Sequence, residues 1–136
     1  ILDAAIENSK NNSIIKLNSY KIAKFKEKIL VDLDLSETER DVFLEKLINY
    51  RLVDEIPDLE LGNYVRWISV KEGVDEIKLT NGGYILSIEI EETGVHIKCK
   101  NNMNRILQII LHENIVFQKL TNEEELLLKV LDYIAT

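Results

Sequence analysis

His96, Cys99 and His112 are the histidines and the cysteine of this 136-residue chain, spaced H-x-x-C and then, after a gap, H. Residues three apart on a strand point to opposite faces, so His96 and Cys99 reach one ion only across a bulge, and no metal site is expected. As a nucleophile Cys99 needs a base and an oxyanion hole, whereas its parity with Val95 and Ile97 puts it on a core face. The acidic clusters DEIPDLE, EIEET and NEEE lack the D-x-D-x-D-G register of a calcium loop. Glu123 to Glu125 fall in the first turn of a predicted helix, where the dipole favours negative charge. Gly82 and Gly83 follow Asn81 in LTNGGYIL. A phosphate-binding loop needs a helix directly after it, and here a β pattern follows, so the pair reads as a tight turn. Its alternative role is to let another backbone approach closely. No catalytic residue, metal ligand or cofactor is assigned.

Basic residues offer a second kind of chemistry. Lys98 and Lys100 share the exposed parity of one predicted strand, with Arg105 nearby and Asn101, Asn102 and Asn104 between. Beside Tyr84 or Trp67 they could contact phosphates while bases stack on the rings. Residues 61–120, however, hold seven basic and seven acidic side chains, and the whole chain has 17 Lys plus Arg against 24 Asp plus Glu, a net charge of −7. That balance lacks the positive field on which nucleic-acid binding depends. The average hides a division: Lys10 to Leu30 carry six lysines against one acid, and Val31 to Glu60 carry ten acids against three basic residues. Adjacent segments of opposite charge are expected to neutralise each other, the alternative being that Lys21, Lys24, Lys26 and Lys28 form a phosphate-contacting arm.

The elements that must position these residues are legible in the periodicities. Asn18 reads as the N-cap of a helix from about Ser19 to Val31, with Ile22, Phe25 and Ile29 on one face. Ser36 and Glu39 form a capping box ahead of the stripe Phe43, Leu44, Leu47, Ile48, and the short link VDLDL makes the two helices a hairpin. After Pro57 the period becomes 2. Leu61 to Val70, Tyr84 to Ile90, Val95 to Lys100, Arg105 to Leu111 and Ile115 to Lys119 read as strands, with Gly94 turning a hairpin in which Ile88 and Ile90 point inward with Val95, Ile97 and Cys99. Parity places Val65 and Trp67 on one face, with Trp67 expected to be buried, and Tyr64, Arg66 and Ile68 on the other. Five short strands suggest a small closed barrel, which removes exposed edges. Thr121 and Glu124 open a last helix that should bury Leu127, Leu128, Val130, Leu131 and Ile134.

The stretch YRLVDEIPDLELGNYVRWISV, with LTNGGYIL and then HENIVFQKLTNEEELLLKVLDYI, resembles a group of small proteins of nucleocytoplasmic large DNA viruses that join a helical preamble to an SH3-like barrel. The resemblance covers about residues 43–134 and rests on Tyr50, Asp54, Gly62, Arg66, Trp67, Gly82, Gly83 and Phe117, all of structural type. It implies an SH3-like fold, viral origin and an interaction or virion-associated role, and brings no catalytic motif.

A 46% hydrophobic, 30% charged chain of this length fits one domain with its own core. No apolar run is long enough to span a membrane, the acidic start ILDAAIENSK is unlike a signal peptide, and one cysteine suits a reducing, cytoplasmic compartment. A chain that opens at Ile1 reads as an excerpt of a longer one. The expectation is an α+β protein: a leader over 1–17, a helical hairpin over 18–56, an SH3-like five-stranded barrel over 57–120 and a closing helix over 121–136. Its expected work is non-enzymatic recognition of a protein partner through Tyr64, Arg66, Trp67, Gly82, Gly83 and Tyr84. A nucleic-acid accessory role through the lysine-rich first helix is the alternative.

Overall fold

The computed structural model describes residues 18–135, and the expected leader over 1–17 lies outside them. Helix α1 (Ser19–Val31) starts where Asn18 Oδ1 accepts from Lys21 N at 2.8 Å, and α2 (Glu37–Lys46) starts at the expected capping box, with Ser36 and Glu39 each accepting from the other's backbone. Six strands follow: β1 (Tyr50–Val53), β2 (Tyr64–Ser69), β3 (Gly83–Glu91), β4 (Gly94–Lys100), β5 (Ile106–Ile110) and β6 (Asn114–Lys119). Helix α3 (Asn122–Ala135) closes the chain, its first turn fixed by reciprocal bonds between Thr121 and Glu124 at 2.9 and 3.1 Å. The protein is therefore α+β, with three α-helices among the described residues and one antiparallel sheet ordered β1-β6-β2-β3-β4-β5. None of these helices is long and apolar enough to cross a membrane.

The sheet corrects the expectation of a closed five-stranded barrel. It has six strands, and no ladder joins β5 to β1 or β6, so it is open. The unforeseen strand is β1, whose four residues YRLV are too few to show an alternation and follow directly on the apolar stripe of α2. Yet the sheet is far from flat. Strands β6 and β5 stand four steps apart, about 19 Å in a flat sheet. Only a 3₁₀ turn, Leu111–Glu113, joins them, and Asn114 Nδ2 donates to Ile110 O at 2.9 Å across it. The ends of the sheet must curl towards each other.

The two faces show the same constraint. On one, Val53, Val65, Trp67, Ile85, Ile97, Cys99 and Val116 form a buried cluster to which no α-helix contributes. A sheet face that buries itself without a covering layer has to wrap around its own side chains. A bulge between Ile85 and Ser87 allows this: it lets Ile85 and Ile88, three residues apart, both pack inward, opposite Cys99 and Ile97. Ile90, expected inside, lies beyond the end of this core and is 76% exposed. On the other face Ile68 and Phe117 pack against Leu30 and Leu47, with Phe43 and Leu44 partly buried. The helical faces differ in detail from the periodicity. In α1 the buried stripe is Ile22, Lys26 and Leu30, and Phe25 is exposed; Ile48 after α2 and Ile134 in α3 are exposed too. A separate cluster of Ile22, Leu127 and Leu128 holds α3 to α1, supported by Ser19 N donating to Asp132 Oδ1 at 3.0 Å.

Gly82 and Gly83 do more than turn the chain. Gly82 has φ +83°, and a Cβ there would overlap the carbonyl oxygen of Val65; one on Gly83 would lie 2.7 Å from Lys100 O. The pair lets β2, β3 and β4 approach at the point where β3 begins.

The bulge carries a direct test. Ile97→Ala should cost about 2–5 kcal/mol of unfolding free energy, because Ile97 is fully buried opposite Ile88. Ile90→Ala should change it by no more than about 0.5 kcal/mol. Urea denaturation of the two variants checks both values.

Candidate functional site

One row of side chains crosses five strands on the face that the helices cover elsewhere. Tyr50 of β1 pairs with Lys119 of β6, Tyr64 of β2 with Tyr84 of β3, and Tyr84 with Lys100 of β4. The register that pairs Val65 with Gln118 sets Tyr64 opposite Lys119. Across the sheet the row thus reads Tyr, Lys, Tyr, Tyr, Lys. Arg66 stands on the same face two residues along β2, and two residues further Ile68 is already buried beneath the helices. Alternation dictates which face these residues share. The extent of the helices decides where that face is left open.

There the surface forms a groove of about 610 Å³, lined by Tyr50, Gly62, Asn63, Tyr64, Arg66, Asn81, Tyr84, Asn102 and Lys119. The Tyr64 and Tyr84 rings meet edge to face, with centroids 4.9 Å apart and planes at 84°, a favoured arrangement for a π pair. Tyr64 Oη donates to Asn81 O at 2.7 Å, which fixes that ring. Arg66 Nε donates to Thr80 O at 2.8 Å, and Thr80 is itself tied to Trp67 by Thr80 N to Trp67 O at 3.0 Å and Trp67 N to Thr80 Oγ1 at 3.2 Å. The guanidinium is held through one nitrogen, and its two terminal nitrogens bond none of the described residues. Burial raises the pKa of the Tyr50 phenol, with the nearby Arg66 charge acting in the opposite direction. Asn63 Oδ1 accepts from Tyr64 N at 2.9 Å, which orients the amide, and the buried Asn63 Nδ2 has no acceptor among the described residues. No carboxylate lines the groove.

Tyr64, Arg66 and Tyr84 are thus brought together by the fold. Trp67 sits on the opposite face, buried in the core, and Gly82 and Gly83 are buried where strands cross, so these three shape the sheet rather than its surface. Lys100 stands at the end of the row beside Tyr84. Lys98, opposite Ser87 at the bulge, and Arg105, in the turn organised by Asn101, lie outside the groove lining. The sequence reading missed Tyr50, Asn63, Asn81 and Lys119, and had Asn102 only among the amides between Lys100 and Arg105. For Tyr50 and Lys119 the missing signal was the strand character of YRLV, since pairing β1 with β6 is what aligns them.

The lysine-rich helix divides. Lys21, Lys24 and Lys28 are exposed, with Lys24 Nζ 5.6 Å from the centre of the Tyr20 ring. Lys26 is buried, donates to Leu47 O at 2.8 Å at the C-terminal end of α2, and has its pKa lowered by burial. It serves as a helix C-cap, where a cation meets the negative end of the dipole. Among the described residues no lysine of α1 pairs with an acid of residues 32–60. The two segments meet through Leu30, Leu47 and Phe43 rather than by ionic neutralisation.

The other candidate chemistry is dispersed. His96 faces away from Cys99, with Nδ1 2.6 Å from Gln108 Nε2 and Nε2 2.6 Å from Thr93 Oγ1 and 3.2 Å from Glu91 Oε2. The contacts to Thr93 and Glu91 close the β3–β4 hairpin, and the one to Gln108 ties β4 to β5. His112 packs against Gly94. Cys99 is fully buried in the sheet core, which pushes its thiol up to about 11. A second cavity of about 400 Å³, beside Val53, Val95, Leu111 and Val116, is mostly apolar, with Asp54 and His112 on its lining. A scan against protein-family models, a search of curated proteins and a search of solved structures each return no match.

The thiol yields a pH prediction. The folded state keeps the Cys99 proton up to about 11 while the unfolded chain releases it at 9.0, so the folded state binds more protons between those values. Stability from this source is complete below pH 9 and is lost as pH rises through 11, by about 2–3 kcal/mol. Cys99→Val should remove that part of the alkaline loss in denaturation series run from pH 8 to 11. Native Cys99 should also react with a thiol reagent only as fast as the protein opens.

Proposed function

We propose that this chain is a non-enzymatic protein-interaction module, an SH3-like curled open sheet extended by strand β1 and flanked by helices, whose recognition surface is the groove of Tyr50, Tyr64 and Tyr84. Supporting the SH3-like reading are five antiparallel strands in the order β6-β2-β3-β4-β5, the curl of the sheet and the 3₁₀ turn before its last strand. The groove carries the functional reading. An exposed tyrosine, Tyr84, braced by the half-buried Tyr64, and an arginine with free terminal donors are residue types that dominate binding energy at protein interfaces, because they bury much area at little entropic cost. The resemblance to the large-DNA-virus group is what supports a partner within a viral assembly in the host cytoplasm.

A second reading, a nucleic-acid accessory protein, is favoured by one observation: Lys21, Lys24 and Lys28 are exposed on one helix and unpaired with the acids of residues 32–60 among the described residues. Withdrawal of Lys26 into the hairpin leaves Lys21, Lys24 and Lys28 as the exposed lysines of α1 among the described residues, a small number for tight phosphate binding at physiological salt.

Affinity capture from native lysate, with nuclease treatment, separates the two. Nuclease-resistant capture of a protein partner should fall about tenfold or more in Tyr84→Ala and in Arg66→Gln. Direct binding to labelled DNA and RNA should be weaker than about 10⁻⁵ M at physiological salt. Capture indifferent to both groove variants would refute the first reading. Submicromolar, steeply salt-dependent binding abolished by the triple change of Lys21, Lys24 and Lys28 to Gln would establish the second.

A further inference from the structure

This inference rests on the groove as the recognition surface and concerns what it recognises. We infer that the groove takes an acidic peptide segment, one carboxylate of which seats on the terminal nitrogens of Arg66 while a neighbouring apolar residue lies against Tyr84. Arg66 is positioned for such a ligand before it arrives. Its Nε bond to Thr80 O aims the guanidinium from β2, and a planar fork held through one nitrogen still offers parallel donors to a carboxylate. Lys119 stands in the same lining and Lys100 beside Tyr84. Among the described residues none of these three cations has an acidic partner, and the groove contributes no carboxylate of its own. In a chain of net charge −7 this is a local reversal of sign, which steers an anionic ligand to the groove and away from the rest of the surface.

The polar atoms around the arginine suit a peptide. Asn63 brings an amide to the lining, its Nδ2 enclosed and without an acceptor among the described residues. Asn102 brings a further amide to the lining. Tyr84, 55% exposed and braced by Tyr64, provides the apolar surface. A single-stranded nucleic acid fits less well. It presents a phosphate at every step, whereas Arg66 and Lys119 are the two cations among the residues that line the groove.

The test uses the full chain and fluorescence anisotropy with three labelled probes: a short peptide alternating glutamate with leucine and proline, the same peptide with every glutamate replaced by glutamine, and oligothymidylate. The acidic peptide should bind about tenfold or more tighter than its glutamine counterpart. Arg66→Gln should remove that preference. Arg66→Lys should restore only part of it, because an ammonium lacks the paired donors. Tyr84→Ala should weaken both peptides and Tyr84→Phe neither, with Trp67 emission confirming that each variant is folded. Equal binding of the two peptides, still weakened by Tyr84→Ala, would overturn the acidic preference and leave the groove as the recognition surface. Tighter binding of oligothymidylate than of the acidic peptide, lost in Arg66→Gln, would overturn the inference in favour of nucleic acid. No change with any groove variant would overturn both this inference and the reading on which it rests.

Discussion

Strand β6 lies between β1 and β2 with its middle buried on both faces: Val116 is sunk into the core inside the curled sheet, and Phe117 into the core under the helices. Consecutive residues on a strand point to opposite sides, so this one dipeptide nails two separate hydrophobic layers together. Gln118, next along, is also buried and spends its amide on the chain before β2, donating to Asp58 O at 2.8 Å and accepting from Glu60 N at 2.9 Å. The irregular segment from Ile56 to Leu61 therefore hangs from β6. So does the C-terminal helix, because Arg51, which faces Gln118 across the β1–β6 ladder, lies 3.5 Å from Glu124, the residue that also closes the Thr121 capping box. Burying this ion pair brings no large net stability, but losing one partner would strand the other charge in the interior.

The groove follows from where that packing stops. Residues of one parity along β2 run Tyr64, Arg66, Ile68, and they pass from open to buried without changing face. Helices α1 and α2 cover the Ile68 end through Leu30, Leu47 and Phe43, and Lys26 locks their relative position by capping α2. Had the helices reached one turn further, the tyrosines would be core residues, as tyrosines on sheets often are. As it is, Tyr84 is exposed, Tyr50 and Tyr64 are half-buried, and the braced ring pair and an arginine anchored through one nitrogen line the open end of the sheet.

Charge acts at a different level from packing. The acidic excess after Val31 was expected to neutralise the lysines before it, but the two helices meet through apolar side chains and leave Lys21, Lys24 and Lys28 in solvent. Exposed charges gain little from pairing in water, and segment-wise charge counts carry no information about which side chains face each other. For the same reason the net charge of −7 is silent about a local cationic groove, which arises only when residues from β1, β2, β3, β4 and β6 are aligned in one row.

Local signals determined much of the architecture. Both capping boxes, the Asn18 cap, the β3–β4 hairpin, the strand parity that separates Trp67 from Tyr64 and Arg66, and the α+β class depend on contacts within a few residues of chain, where side-chain type and spacing suffice. Four things needed the tertiary structure. Strand β1 is too short for its alternation to register and is a strand only because β6 offers it a ladder. The bulge that admits both Ile85 and Ile88 to the core goes with the curl of the sheet, which local patterning does not encode. Lys26 occupies a buried helical position that hydropathy assigns to an apolar residue, because the end of α2 supplies a carbonyl for it. The union of Tyr50, Asn63, Asn81, Asn102 and Lys119 with Tyr64, Arg66 and Tyr84 depends on strand order, and strand order is settled by burial of long-range apolar surface that no local pattern encodes.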